Sequence, residues 1–138
     1  QESVEMAIKG LSEFLDCDKL TQWTKSYALD QVTPKKVGIV MAGNIPMVGF
    51  HDLLCVLISG HVALVKLSSK DSVLIKVLLQ QLLAMEPGFK EQILFAEGPM
   101  KNFDAVIATG SDNSARYFHH YFDKYPSIIR KNRTSCAV

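Results

Sequence analysis

The chain has 138 residues, of which 48% are hydrophobic, so it can bury the core of one globular domain. Its 15 basic and 14 acidic residues leave a net charge of +1, which gives no electrostatic basis for binding nucleic acid or an anionic membrane. The three cysteines are widely spaced and no apolar run reaches roughly 18–20 residues, which argues against disulfides and an integral membrane segment and favours a cytoplasmic protein.

Two helices are predicted at the start of the chain. Apolar side chains recur at the spacing of one helix face at Val4, Ala7, Ile8, Leu11, Phe14 and Leu15. A second helical pattern places Leu20, Trp23, Tyr27 and Ala28 on one side. Pro34 breaks this pattern. We therefore expect a helical segment over residues 1–33 and a separate nucleotide-binding domain over residues 34–138.

From residue 37 onward, short apolar runs alternate with helical patterns. Strands are predicted over residues 37–41, 61–66, 92–96 and 104–108, with a further extended segment from Ser127. Helices are predicted over residues 50–59 and 112–122, and between them from a cap at Asp71 or Ser72 to the Pro87-Gly88 stop. This alternation predicts an α/β fold with a doubly wound, mostly parallel sheet. Ligands of such sheets bind beyond the carboxyl ends of the strands.

Polar segments follow three of the predicted strands, and each has two interpretations. Gly110-Ser111 could present backbone N–H groups to a phosphate, or serve only as a turn and helix cap. Lys66 could bind ribose or phosphate, or be solvated. Asn44 could bond local backbone, or donate an N–H to an oxyanion forming on an acyl carbon. Ser69 leaves room for a 2′-phosphate that an acidic residue would repel.

No metal site is expected, because the four histidines lack carboxylate or cysteine partners at the spacing of metal ligands. Cys55 and Cys136 lie in apolar runs and are interpreted as small core residues instead of nucleophiles. The chain also lacks the two commonest phosphate-binding signatures, the G-x-G-x-x-G motif and the P-loop.

Three motifs in order resemble the aldehyde dehydrogenase superfamily. They are the strand and Gly-Asn-Ile-Pro turn of residues 37–47, the Gly-His-Val-Ala-Leu-Val-Lys-Leu-Ser-Ser segment of residues 60–69, and the Ala-Thr-Gly-Ser turn of residues 108–111. Together with the Arg-Lys-Asn-Arg stretch of residues 130–133, these motifs are most similar in sequence to the acyl-CoA reductase branch. That branch includes the fatty-acid reductase of bacterial bioluminescence.

The resemblance implies a role for each matching residue. Asn44 would bind the oxyanion, Lys66 the adenosine ribose, and Gly110 with Ser111 the pyrophosphate, while Ser69 in place of the usual Glu implies NADP (NADPH), with NAD less favoured. The implied cofactor-binding set is Ala42, Gly43, Asn44, Lys66, Ser68, Ser69, Gly110 and Ser111. The implied substrate is an acyl-CoA or other acyl thioester, reduced to an aldehyde through a cysteine acyl-enzyme.

The chain also departs from the superfamily pattern. Ala108 replaces a Phe, Leu67 replaces a Pro, and the general-base glutamate is missing near Arg130, which fits a reductase. The nucleophilic cysteine is expected beyond Val138, so this chain is expected to be a segment that binds nucleotide without catalysing. Two other interpretations remain, an acyl-phosphate reductase and a non-catalytic domain that binds a partner. A homo-oligomer is compatible with the sequence.

Overall fold

A computed structural model describes residues 2–131, which contain one sheet of five strands. They are β1 (Lys36–Val40), β2 (Val62–Lys66), β3 (Ile93–Phe95), β4 (Ala105–Thr109) and β5 (Ser127–Arg130). Every neighbouring pair is parallel, and the order across the sheet is β3-β2-β1-β4-β5. The chain therefore winds outward from β1 in one direction, then returns to the other side of β1 and winds outward again.

Five α-helices accompany this sheet in the same part of the chain. They are α1 (Glu2–Phe14), α2 (Cys17–Thr24), α3 (Phe50–Ile58), α4 (Ser72–Met85) and α5 (Asp112–Phe122). Short 3-10 turns cover Leu29–Gln31 and Pro87–Glu91. Helices α3, α4 and α5 connect parallel strands, as such strands require a crossover.

The two faces of the sheet belong to different core clusters. Ile39 and Val65 lie in the larger cluster with Leu53 of α3 and Leu79 of α4. The strand residues next to them point to the opposite face, where Val106 and its neighbours form a smaller cluster with aromatic side chains of α5. Helices thus cover both faces, which confirms the predicted doubly wound α/β fold with N-terminal helices.

The predicted end of the second helix is wrong. Helix α2 ends at Thr24, so Tyr27 and Ala28 lie outside it. No residue of α2 is buried, so tertiary packing supplies little energy to extend it. The Thr24 hydroxyl also donates to the Leu20 carbonyl within the last turn, at 2.8 Å. The other elements end within about two residues of the predicted bounds, which is the usual uncertainty of helix and strand ends.

Helix α1 contacts the rest of the domain through Ala7 and Leu11, which pack against the larger core cluster. The predicted boundary at residues 33 and 34 stays a prediction. The extended segment predicted from Ser127 is β5 (Ser127–Arg130), and any continuation of it over residues 132–138, with Cys136, lies outside the described residues.

Candidate functional site

The candidate site lies at the carboxyl edge of the sheet. Strand β1 is central, with β2 and β4 as its parallel neighbours. The segments that follow these three strands, residues 41–44, 67–70 and 110–111, therefore meet at one edge. That edge is also where the winding direction reverses, which is where doubly wound sheets form their ligand crevice. The structure thus brings together the three polar segments that the sequence singled out.

Gly43 lets the first two segments approach each other closely. A Cβ atom added to Gly43 would lie 2.7 Å from Cβ of Ser68 and 3.0 Å from Cβ of Lys70. Contacts this short are not tolerated, so any side chain at this position would push the segments apart. Ala42, before it, is half-buried. Glycine is required here by the close approach of the two loops.

Lys66 and Ser69 differ in how far their positions are fixed. The Lys66 ammonium donates to the Gly98 carbonyl, in the loop after β3, at 3.1 Å. An ammonium has three donors, so this bond leaves two for a ligand. Ser69 is exposed. The Ser68 hydroxyl accepts the N–H of Lys70 at 3.2 Å and so shapes the turn that carries Ser69.

The third segment begins α5. Ser111 caps the helix, because its hydroxyl accepts the N–H of Ser114 at 3.2 Å. The Gly110 N–H donates to the Arg130 carbonyl at 3.0 Å, so it belongs to the sheet and is not available to a phosphate. A pyrophosphate at this turn would meet the remaining N–H groups of the first helical turn. Asp112 lies in the same turn and its negative charge opposes that attraction.

Asn44 is exposed in the turn between β1 and α3. Met47, three residues later, has a φ of 56°, which a non-glycine residue seldom adopts. Its N–H donates to Oδ2 of Asp71 at 2.5 Å. Asp71 stands at the N-cap position of α4, as predicted, but its side chain makes no cap hydrogen bond. Asp71 thus occupies the predicted N-cap position, but the prediction that its carboxylate caps α4 is wrong.

An ion pair at the same edge was missed by the sequence analysis. Asp52 of α3 is 4% exposed, and its carboxylate pairs with the guanidinium of Arg130 at the end of β5. The Thr109 hydroxyl donates to the other carboxylate oxygen at 3.4 Å. A carboxylate inside the apolar run of residues 50–58 was the available signal, because buried charges are normally paired.

Cys55 is half-buried on α3, so its predicted place in the core is only partly correct. Its sulfur lies 3.9 Å from both ring nitrogens of His51. Burial raises the pKa of the Cys55 thiol, and the nearby Asp52 carboxylate raises it further against the opposing effect of Arg130. A raised pKa disfavours the thiolate, so Cys55 is poorly suited to act as a nucleophile.

An apolar groove of about 500 Å³ opens beside the Asn44 turn. Its walls come from α1, from the turn before α3 and from the first turn of α3, and they comprise Ser3, Met6, Ala7, Gly10, Leu11, Phe14, Ile45, Pro46, Met47, Val48 and His51. A second groove of about 230 Å³ shares Phe14 and His51 with it. The larger groove falls within the size range of small-molecule sites.

Within residues 2–131, no three histidine, cysteine, aspartate or glutamate side chains are grouped closely enough to hold a metal ion. No helix in that part of the chain is both long and apolar enough to cross a membrane.

Comparison with known families decides the relationship that the three motifs suggest. The family model described as acyl-CoA reductase (LuxC) matches residues 1–130. The chain belongs to the LuxC family. The match covers both N-terminal helices and all five strands of this LuxC chain, and it confirms the resemblance to the acyl-CoA reductases. No curated protein and no solved structure matched.

Proposed function

We propose that this LuxC chain is the cofactor-binding part of an NADPH-dependent reductase that converts long-chain acyl thioesters to aldehydes. The observation that carries the proposal is the meeting of residues 41–44, 67–70 and 110–111 at the point where the sheet reverses its winding direction. In this proposal the substrate acyl group is first transferred to a cysteine outside residues 1–138. A cytoplasmic location and self-association belong to the same proposal.

The residues at this edge fit a dinucleotide. Gly43 lets the Asn44 turn and the Ser68 loop approach closely enough to contribute to one site, and the start of α5 offers N–H groups to the pyrophosphate. Lys66 has two ammonium donors left for ribose hydroxyls. NADPH, when bound, would supply the hydride for reduction. The protein's contribution is to hold the nucleotide beside the acyl carbon and to exclude other orientations.

Asn44 would stabilise the transition state for attack on the acyl carbon. It is exposed after the end of β1 and precedes Ile45, which lines the apolar groove. An N–H of this amide would donate to the carbonyl oxygen as negative charge develops there. Such a bond strengthens during the reaction, so it raises the rate more than it tightens substrate binding.

The groove beside Asn44 supports an apolar acyl substrate. Its walls are formed mostly by aliphatic and aromatic side chains, including Met6, Leu11, Phe14 and Ile45. Burying a hydrocarbon chain there gains about 0.8 kcal/mol per methylene group. A short, charged acyl phosphate gains nothing from such walls, which favours the thioester over the acyl-phosphate alternative.

Changing Ser69 to Glu is expected to weaken NADPH binding by about tenfold or more, with little loss for NADH. A carboxylate here would repel the 2′-phosphate, and even partly solvated charges at close range interact by more than 1 kcal/mol. Lys70 adds a positive charge next to Ser69. The dissociation constants of both nucleotides should be measured by fluorescence titration. Ser69→Ala is the control, and equal weakening by the two variants would contradict a charge effect.

The test of the whole proposal is the rate of NADPH oxidation by the full-length protein with a long-chain acyl-CoA. NADH and an acyl phosphate are the comparisons. Oxidation of NADPH that requires acyl-CoA and yields aldehyde would support the proposal. If the protein binds nucleotide but reduces only the acyl phosphate, its substrate is an acyl phosphate and the thioester proposal is wrong. A folded protein that binds neither nucleotide would favour the non-catalytic reading.

A further inference from the structure

Asp71 connects the two segments that the proposed reaction needs. It follows directly after the loop of Ser68 and Ser69, and its own N–H donates to the Ser68 carbonyl at 3.3 Å. Its carboxylate reaches back 24 residues along the chain to accept the Met47 N–H at 2.5 Å. One residue therefore binds the nucleotide loop through its backbone and the Asn44 turn through its side chain.

The side-chain bond of Asp71 is made at the expense of a local one. At the N-cap of α4, a carboxylate ordinarily accepts an N–H from the first turn of its own helix. Asp71 is 8% exposed and makes no such bond. The carboxylate instead accepts a hydrogen bond from the turn before α3.

The turn needs this contact because its backbone is strained. Met47 has a φ of 56°, in the left-handed region that side chains disfavour. Its side chain is 7% exposed in the larger core cluster, so the residue cannot relax by turning outward. Removing the acceptor of its N–H would leave the strain without the bond that offsets it. Asn44, three residues earlier in the same turn, would then lose its defined position.

We infer that Asp71 is the positioning residue that fixes the Asn44 carboxamide relative to the nucleotide loop. The inference rests on the oxyanion role proposed for Asn44. It assigns to Asp71 no contact with substrate or cofactor. A shift of about 1 Å in a catalytic group can lower a rate substantially. The loss of a hydrogen bond that does not itself touch the acyl group is therefore sufficient to slow the reaction.

Two variants of Asp71 separate positioning from helix stability. Asp71→Asn keeps an oxygen of the same reach that can accept the Met47 N–H. Asp71→Ser restores an ordinary cap for α4, but its side chain is one atom shorter and leaves the turn unheld. In both variants the backbone N–H that donates to Ser68 is unchanged. The loop that carries Ser68 and Ser69 therefore keeps this hydrogen bond, and NADPH affinity is expected to change by less than about twofold in either variant.

The experiment measures kcat, the KM for acyl-CoA and the NADPH dissociation constant in the full-length protein. Asp71→Ser is expected to lower kcat about tenfold or more, as the loss of a hydrogen bond to a charged group allows. Asp71→Asn is expected to retain most of the rate. The midpoint of urea unfolding, measured in parallel, should stay close to wild type in Asp71→Asn and fall only modestly in Asp71→Ser, where the new helix cap partly offsets the lost bond. A Ser variant with wild-type kcat, or an Asn variant as slow as the Ser variant, would overturn the inference.

A double-mutant cycle with Asn44→Ala then tests whether Asp71 acts through Asn44. If it does, Asp71→Ser lowers kcat little further when Asn44 is already absent. Losses that multiply in full would overturn the inference and leave the role of Asn44 intact. If Asn44→Ala alone leaves kcat unchanged, the proposed oxyanion role fails, and the inference fails with it. The two failures are therefore distinguished within one set of four proteins.

Discussion

Replacing Asn44 with alanine in the full-length reductase is expected to lower kcat about 100-fold or more, as loss of one oxyanion donor does elsewhere. NADPH affinity is expected to change far less than kcat, since the Asn44 side chain is proposed to bind the oxyanion while Lys66 and the start of α5 are proposed to hold the nucleotide. The alanine side chain leaves the backbone of the turn free to keep its conformation. Single-turnover reduction of a long-chain acyl-CoA, followed by NADPH fluorescence, measures the chemical step directly.

Asn44→Asp is the control that separates catalysis from turn formation. Aspartate and asparagine form the same local turns with their own backbone. A carboxylate cannot donate to an oxyanion and repels it, so the Asp variant should be at least as slow as the Ala variant. If Asn44→Asp keeps the wild-type rate while Asn44→Ala does not, Asn44 is a turn residue and the oxyanion assignment is wrong.

Replacing Arg130 with leucine is expected to lower the free energy of unfolding by about 3 kcal/mol. Removing one partner leaves the other charge buried without its counter-ion, which costs about 3–5 kcal/mol for fully buried pairs; the Thr109 hydroxyl still donates to the Asp52 carboxylate. The carboxylate of Asp52 is 5% exposed, whereas the Arg130 side chain is 33% exposed, which places the loss at the lower end of that range. Urea unfolding of the full-length protein is the measurement.

The double variant Asp52→Leu with Arg130→Leu is the matched control. It removes both charges, and apolar replacement of a buried pair is often neutral or stabilising. The double variant is therefore expected to recover most of the stability lost in Arg130→Leu. If the two proteins unfold at the same urea concentration, the loss comes from packing of the Arg130 stem, and the unpaired charge of Asp52 is not the cause.

The sheet could be predicted from the sequence because each strand carries its own signal. The run of residues 37–41 is apolar throughout, as a strand buried on both faces requires, and glycine or proline turns separate it from the next helix. The placement of Asn44, Lys66 and Gly110 at one edge followed from a parallel sheet, since all three stand near the carboxyl ends of strands. These features depend only on residues close together in the chain.

The contacts that hold the site could not be predicted in the same way. Asp52 and Arg130 are 78 residues apart, and the sequence around each of them does not indicate that the other is its partner. For Asp71 the local rule was misleading, because helix capping predicted a near partner and the carboxylate binds Met47 instead. The early end of α2 has a related cause, since helical spacing does not reveal that no residue of that helix would be fully buried.

The contact between Gly43 and the Ser68 loop determines when conformational entropy is lost. Because the segments that follow β1 and β2 approach too closely at Gly43 for a side chain to fit between them, each limits the movement of the other at that point. The conformational entropy of the two segments is lost during folding, and burial of the core that stabilises the sheet compensates for that loss. A nucleotide that binds here finds its loop already ordered, so more of its binding energy remains available to orient the acyl group.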